Sequence, residues 1–108
     1  GAFHTKTVSP AKPALAEALE KIQIQEGAIP VYMNVDANLA TVRTLKERLV
    51  NQIDSSVMFY DQILKIDAEI KPSEWIHIGP GNVTAGMVKK SISSKKIRVI
   101  NSLESLIK

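Results

Sequence analysis

Apolar positions along this chain follow two alternating rhythms, one helical and one extended. Ala14, Leu15, Ala18, Leu19 and Ile22 recur at helical spacing behind Pro10 and Pro13, with Glu17, Glu20 and Lys21 outside them. This predicts an amphipathic helix that Gly27 and Pro30 break. Ile29 to Val35 is a nearly continuous apolar run, rich in β-branched and aromatic residues and interrupted only by Asn34, which predicts a strand covered on both faces. From Thr41 a second helix carries Val42, Leu45, Leu49, Val50 and Ile53 inward and Arg43, Lys46, Glu47 and Arg48 outward. Asp54-Ser55-Ser56 can stop it and cap a third, whose apolar positions are Val57, Phe59, Tyr60, Ile63, Leu64 and Ile66.

Beyond the loop at Lys71-Pro72-Ser73, Trp75 to Ile78 predicts a second strand that ends in Gly79-Pro80-Gly81. Asn82 then caps a helix containing Val83, Met87, Val88 and Ile92, Ile97 to Ile100 forms a last short strand, and Asn101 or Ser102 starts a closing helical turn. Helices alternating with strands argue for an α/β fold with a parallel sheet. Three strands make a small sheet, with too little to deal with both faces and both edges. His4, in the segment Gly1-Ala2-Phe3-His4-Thr5, stands apart from these elements among small and apolar neighbours.

Composition narrows the functional classes. At 108 residues the chain fits one domain. A net charge of +3 is too weak to imply nucleic-acid binding, and with one Trp, two Tyr and two Phe no stacking platform is visible. The absence of Cys excludes a disulfide framework, a thiolate metal site and a thiol nucleophile. No apolar run approaches the ~20 residues of a membrane span, so neither nucleic acid nor membrane is an expected partner.

The candidate chemistry begins at His4. A positioned imidazole contributes ~10²–10⁴-fold to a rate, but only within hydrogen-bond reach of its target. No serine here lies in a Gly-x-Ser-x-Gly elbow, so the chain offers a base without a nucleophile. Gly79-Pro80-Gly81 sits where the carboxyl end of a strand meets a helix, the place where open α/β sheets put ligand crevices. Pro80 has no N–H, which argues against a phosphate cradle; a tight turn using positive φ at Gly is the plainer reading. His77 shares a strand face with Trp75. Asn34 and Gln52 are amides in apolar contexts, each needing partners if buried. Metal binding by His4 and His77 lacks a ligand cluster. Lys89, Lys90, Lys95, Lys96 and Arg98 form the one dense basic group, either a solvated face or a surface for an acidic partner.

Taken in order, Gly1-Ala2-Phe3-His4-Thr5, Pro30-Val31-Tyr32-Met33-Asn34-Val35, Leu49-Val50-Asn51-Gln52-Ile53 followed by Ser55-Ser56-Val57, and Ile76-His77-Ile78-Gly79-Pro80-Gly81 closely resemble the C-terminal part of the malonyl-CoA:acyl carrier protein transacylase family. The resemblance covers nearly the whole chain and about the last third of the family's catalytic domain. It implies that residues 1–108 are the C-terminal part of an acyltransferase domain: a partial α/β-hydrolase-like three-layer core with a short, mostly parallel sheet flanked by helices. The implied chemistry is ping-pong transfer of malonyl from coenzyme A to the phosphopantetheine thiol of acyl carrier protein in fatty acid biosynthesis. Malonyl-CoA is then a substrate, and no cofactor is bound.

By the same resemblance His4 is the catalytic histidine, held by a backbone carbonyl at Gln52, with Asn34 supporting the geometry and Gly79, Pro80 and Gly81 shaping the crevice rim. Lys89 and Lys90 are candidates for docking the carrier protein. The serine elbow, its oxyanion amides and the arginine that pairs with the malonyl carboxylate are absent, which implies a partner in the missing N-terminal portion of the same enzyme and an inactive segment on its own. The family's Ser-Pro-Val is here Ser55-Ser56-Val57, and its acidic residue before Gly-Pro-Gly is here His77. A polyketide synthase acyltransferase domain shares much of the pattern; the short chain after the last strand favours the stand-alone enzyme. A non-catalytic module binding acyl carrier protein and a serine hydrolase are the competing readings. The family works in bacterial cytoplasm and in organelles, mitochondrion or plastid, and the compartment stays open between them.

Overall fold

The computed structural model describes residues 4–92 and 96–107. The chain divides into two compact units, Gly1–Gln62 and Ile63–Lys108.

In the first unit a 3-10 turn, Lys6–Ala11, runs directly into helix α1, Lys12–Glu20, where Pro13 occupies the first turn and needs no hydrogen-bonded N–H. The helix stops at Glu20, short of the expected Ile22, which is half exposed. Helix α2, Val42–Gln52, packs against α1, with Leu19 buried. Leu45, Val50 and Ile53 are partly buried as expected, whereas Val42 and Leu49 are exposed.

The strand expected over Ile29 to Val35 does not form. The segment makes a tight reversal with one antiparallel bridge, Tyr32 to Leu39. The Ala40 N–H donates to the Val31 carbonyl at 2.6 Å, the Met33 N–H to Asn38 at 2.9 Å, and the Ala37 N–H to Met33 at 2.9 Å. The reason lies in the polar residues that follow: the Asp36 carboxylate accepts from the Asn38 N–H at 3.0 Å, an Asx turn that folds the chain back on itself. Ala37 takes a left-handed φ of 58° inside this turn although it is buried. Ile29 is 80% exposed, so the run is not covered on both faces among the described residues.

Arg48 closes the reversal from inside. Expected to point outward, its side chain is only 12% exposed. The guanidinium donates to the Asp36 carboxylate at 2.7 Å, to the Asn38 carbonyl at 2.7 Å and to the Leu39 carbonyl at 2.8 Å. A planar fork suits this work, because three acceptors on one loop meet donors of fixed geometry. Burial pushes the Asp36 carboxyl up, but the Arg48 and Asn38 hydrogen bonds outweigh it and hold the group below its ordinary 3.8.

Helix α3, Phe59–Glu69, begins two residues later than its apolar pattern, and Asp54, Ser55 and Ser56 do not serve it as caps. Asp54 instead accepts from the Ser9 hydroxyl at 2.8 Å and from the Lys12 ammonium at 3.2 and 3.3 Å. The Ser9 hydrogen bond, with Lys12 and Lys6 nearby, holds this carboxyl below the ordinary range.

The second unit is a β–α–β arrangement. Strands β1, Glu74–Ile78, and β2, Lys96–Ile100, pair in parallel with Trp75 opposite Ile97 and His77 opposite Val99. Helix α4, Val83–Ser91, connects them and packs on both, with Ala85, Val88 and Ile92 buried at helical spacing. Helix α5, Leu103–Ile107, starts behind Ser102, whose hydroxyl accepts from the Ser105 N–H at 3.2 Å. Among the described residues the sheet therefore has two strands in place of three, and the fold class stays α/β with a short parallel sheet flanked by helices.

Two outcomes follow for stability. Arg48→Ala is expected to cost about 2–3 kcal/mol, since three carbonyl and carboxylate acceptors lose a charged donor; the denaturation midpoint at neutral pH reports it. Both Asp36 and Asp54 have depressed folded values, so their stabilisation is complete above about pH 4 and is lost as pH falls through the folded values. Acid titration of stability should show this limb, and Asp36→Asn or Asp54→Asn should each flatten part of it.

Candidate active site

Helix α2 ends at Gln52, and the last carbonyls of a helix have no partner inside it. The Gln52 carbonyl takes two: the Ser55 N–H at 3.3 Å and Nδ1 of His4 at 2.9 Å. A carbonyl oxygen can only accept, so Nδ1 carries the ring proton and Nε2 keeps its lone pair. The imidazole is exposed, and its basic nitrogen is open to a partner. Because Gln52 closes α2, its carbonyl also lies at the negative end of the helix dipole, where positive charge on a neighbouring ring is favoured.

His4 is held there by an unusual backbone. Its φ is +62°, in the left-handed region where histidine is tolerated more often than most side chains but still at a cost. The Gln52 side chain does separate work: its Nε2 donates to the Ser55 carbonyl at 2.9 Å and reaches the Ser56 carbonyl at 3.4 Å. A 3.5 Å approach of the same amide to His4 Nδ1 is too long to compete with the 2.9 Å main-chain bond.

Asn34, expected to support the geometry, is exposed in the 32–39 reversal, and its hydrogen bond is a main-chain one, its carbonyl accepting from Met58 N–H at 2.8 Å. Among the described residues the buried amide is Gln62, 6% exposed, which donates to the Tyr32 carbonyl at 2.8 Å. The sequence reading missed it, although its place beside Ile63 on the inward stripe of α3 was the available signal. Asp54 was read only as part of a helix stop and cap. Gly1, Ala2 and Phe3, the rest of the His4 motif, lie outside the described residues.

In the second unit the Gly79-Pro80-Gly81 turn uses positive φ at both glycines, 141° and 72°. The Gly79 N–H is spent on the Ile100 carbonyl at 3.0 Å, and the Asn101 amide donates to the Gly81 carbonyl at 3.3 Å. With Pro80 lacking an N–H and the Gly79 N–H spent, the turn is tied down and offers little for an anion. His77 is partly buried, with Nδ1 2.6 Å from the Thr84 hydroxyl in the first turn of α4. Lys89 and Lys90 are exposed in the last turn of α4, Lys96 pairs with Glu74 at 3.8 Å, and Lys95 lies outside the described residues. Among the described residues no cluster of three or more His, Asp or Glu could hold a metal, and no helix is long and apolar enough to cross a membrane.

No model of a protein family matches the chain. Individual proteins do. The malonyl CoA-acyl carrier protein transacylase of Bacillus subtilis is 36% identical over 107 residues, covering 98% of this chain and 33% of that enzyme. The structure of MCAT from Streptococcus pneumoniae superposes with a TM-score of 0.91 at 30% identity, over 99% of this chain and 35% of the other. A malonyl-transacylase solved in complex with a type II PKS acyl-carrier protein gives a TM-score of 0.87 at 28% identity, over 97% of this chain and 34% of the other. The chain thus spans about a third of the length of the relatives it matches. By sequence and by fold along nearly all of its length, the chain is similar to about a third of these malonyl CoA-acyl carrier protein transacylases.

Proposed function

We propose that these residues are the C-terminal part of an acyltransferase domain that moves a malonyl group from coenzyme A to the phosphopantetheine thiol of acyl carrier protein, with His4 as general base. The observation that carries this reading is the 2.9 Å bond from His4 Nδ1–H to the last carbonyl of α2, which leaves Nε2 free to take a proton. The nucleophile is a serine outside these residues. His4 removes its proton as the serine oxygen bonds to the thioester carbon; the C–S bond breaks, and coenzyme A leaves with the proton as a thiol. In the second half His4 takes the proton of the carrier thiol, the sulfur attacks the acyl ester, and the serine oxygen leaves and is reprotonated.

A neutral carbonyl stabilises the transient imidazolium less than a carboxylate does, yet it selects the same tautomer and ring orientation. The negative end of α2 adds to that acceptor without an ionised group. Gly79, Pro80 and Gly81 form the crevice rim in this reading. The relative solved with its carrier protein supports acyl carrier protein as the acceptor, and the exposed Lys89 and Lys90 suit an acidic partner. A polyketide acyltransferase is the second reading, favoured by that same relative, and the identity of the carrier that restores turnover separates the two.

In the whole enzyme, His4→Ala is expected to slow malonyl transfer by at least ~10²-fold. Gln52→Ala, which keeps the main-chain carbonyl, should cost less than about 10-fold, because the group that orients His4 survives. Stopped-flow transfer assays on folded variants read both, and near-normal turnover without His4 would sink the assignment. Lys89→Glu with Lys90→Glu should raise the apparent KM for acyl carrier protein roughly 3–10-fold and flatten its salt dependence. An unchanged salt profile would make the pair an ordinary solvated face.

A further inference from the structure

His4 depends on more than its acceptor. Its left-handed φ puts it outside regular structure, so no helix or strand of its own sets where the imidazole sits. The nearest regular element is the 3-10 turn Lys6–Ala11, and that turn is fastened by side chains to one residue. Ser9 Oγ donates to Asp54 Oδ2 at 2.8 Å, and Lys12 Nζ lies 3.2 and 3.3 Å from the two carboxylate oxygens. Lys6 adds a looser approach at 3.7 Å, from a side chain 88% exposed, and contributes little. The Asp54 side chain is only 6% exposed.

We propose that Asp54 is a positioning residue for His4. The inference rests on the reading of His4 as the general base. Asp54 stands two residues beyond Gln52, so a single stretch of main chain, 52–54, grips this segment twice: at the imidazole through a carbonyl and beyond it through a carboxylate. With both grips in place, the path from His4 to Lys12 is fixed at its two ends against the same reference. Without the carboxylate the 3-10 turn slides relative to the end of α2, and a bond of 2.9 Å tolerates only a few tenths of an ångström before it weakens. A drift of 1 Å at a reacting group costs on the order of 10²-fold. The role is chemical as well as steric: an ionised acceptor takes the Ser9 hydroxyl and the Lys12 ammonium together, which a neutral side chain of the same shape does less well.

The test combines kinetics with histidine NMR on the whole enzyme. In Asp54→Ala, kcat for malonyl transfer should fall about 10- to 100-fold, with KM for malonyl-CoA within about twofold. The ¹⁵N shifts of the His4 ring should show a smaller share of the Nδ1–H tautomer. Asp54→Asn, which keeps an acceptor for Ser9, should fall between Asp54→Ala and the parent. Should Asp54→Ala fail to fold, Ser9→Ala combined with Lys12→Met removes the same contacts from the other side and should lower kcat and the tautomer share in the same direction. Unchanged kcat and tautomer share, in enzyme that His4→Ala inactivates, overturn the positioning role and leave the base reading standing. Near-normal turnover of His4→Ala overturns the base reading instead, and the tautomer measurement then decides the positioning role by itself.

Discussion

The unpaired carbonyls at the end of α2 are the constraint around which the first unit is arranged. A helix must leave its final acceptors to outside donors, and here the donors are a loop N–H and an imidazole. That requirement turns a routine feature of helix termini into a means of orienting an imidazole. It also explains why the segment before α1 returns to this place: the same few residues that end α2 supply Asp54, which holds the 3-10 turn. The Arg48 fork does comparable work one turn earlier on the same helix, where it secures the reversal after Pro30. Helix α2 thus serves two loops with two kinds of contact, a bare carbonyl at its end and a buried cation along its side.

Much of the architecture was legible because helical spacing and strand runs separate cleanly where apolar residues are dense. α1, α2, α3, α4, β1 and β2 all fall close to their patterns, and the positive φ at Gly79 and Gly81 follows from residue type alone. The failure over Ile29 to Val35 is instructive. A run of apolar residues says nothing of where the chain turns, and the turn was encoded in Asp36 and Asn38, just past the window that looked like a strand. Arg48 was misplaced for a related reason: on a helical wheel it sits with exposed charges, but its length lets it reach three acceptors on a neighbouring loop.

The site shows the same division. His4 could be singled out because an imidazole in a small, apolar setting is conspicuous, and the pairing with position 52 came from resemblance, since a main-chain acceptor leaves no trace in residue identity. An amide inside an apolar run suggests burial, whereas the reversal leaves Asn34 exposed. Gln62 and Asp54 were undervalued because polar residues beside a helix end or stripe look like caps and solvated positions until their partners, thirty to forty-five residues away, are seen.

The two-stranded sheet has a practical consequence. Ile76 and Ile78 stand exposed on the strand face away from Thr84 and α4, 51% and 78% accessible, and each strand has one flank without a strand partner among the described residues. Such a ribbon is a template for strand addition between molecules. A net charge of +3 is a weak deterrent to that encounter. The colloidal behaviour of this polypeptide when handled free is therefore governed by its concentration and by what is laid along that ribbon.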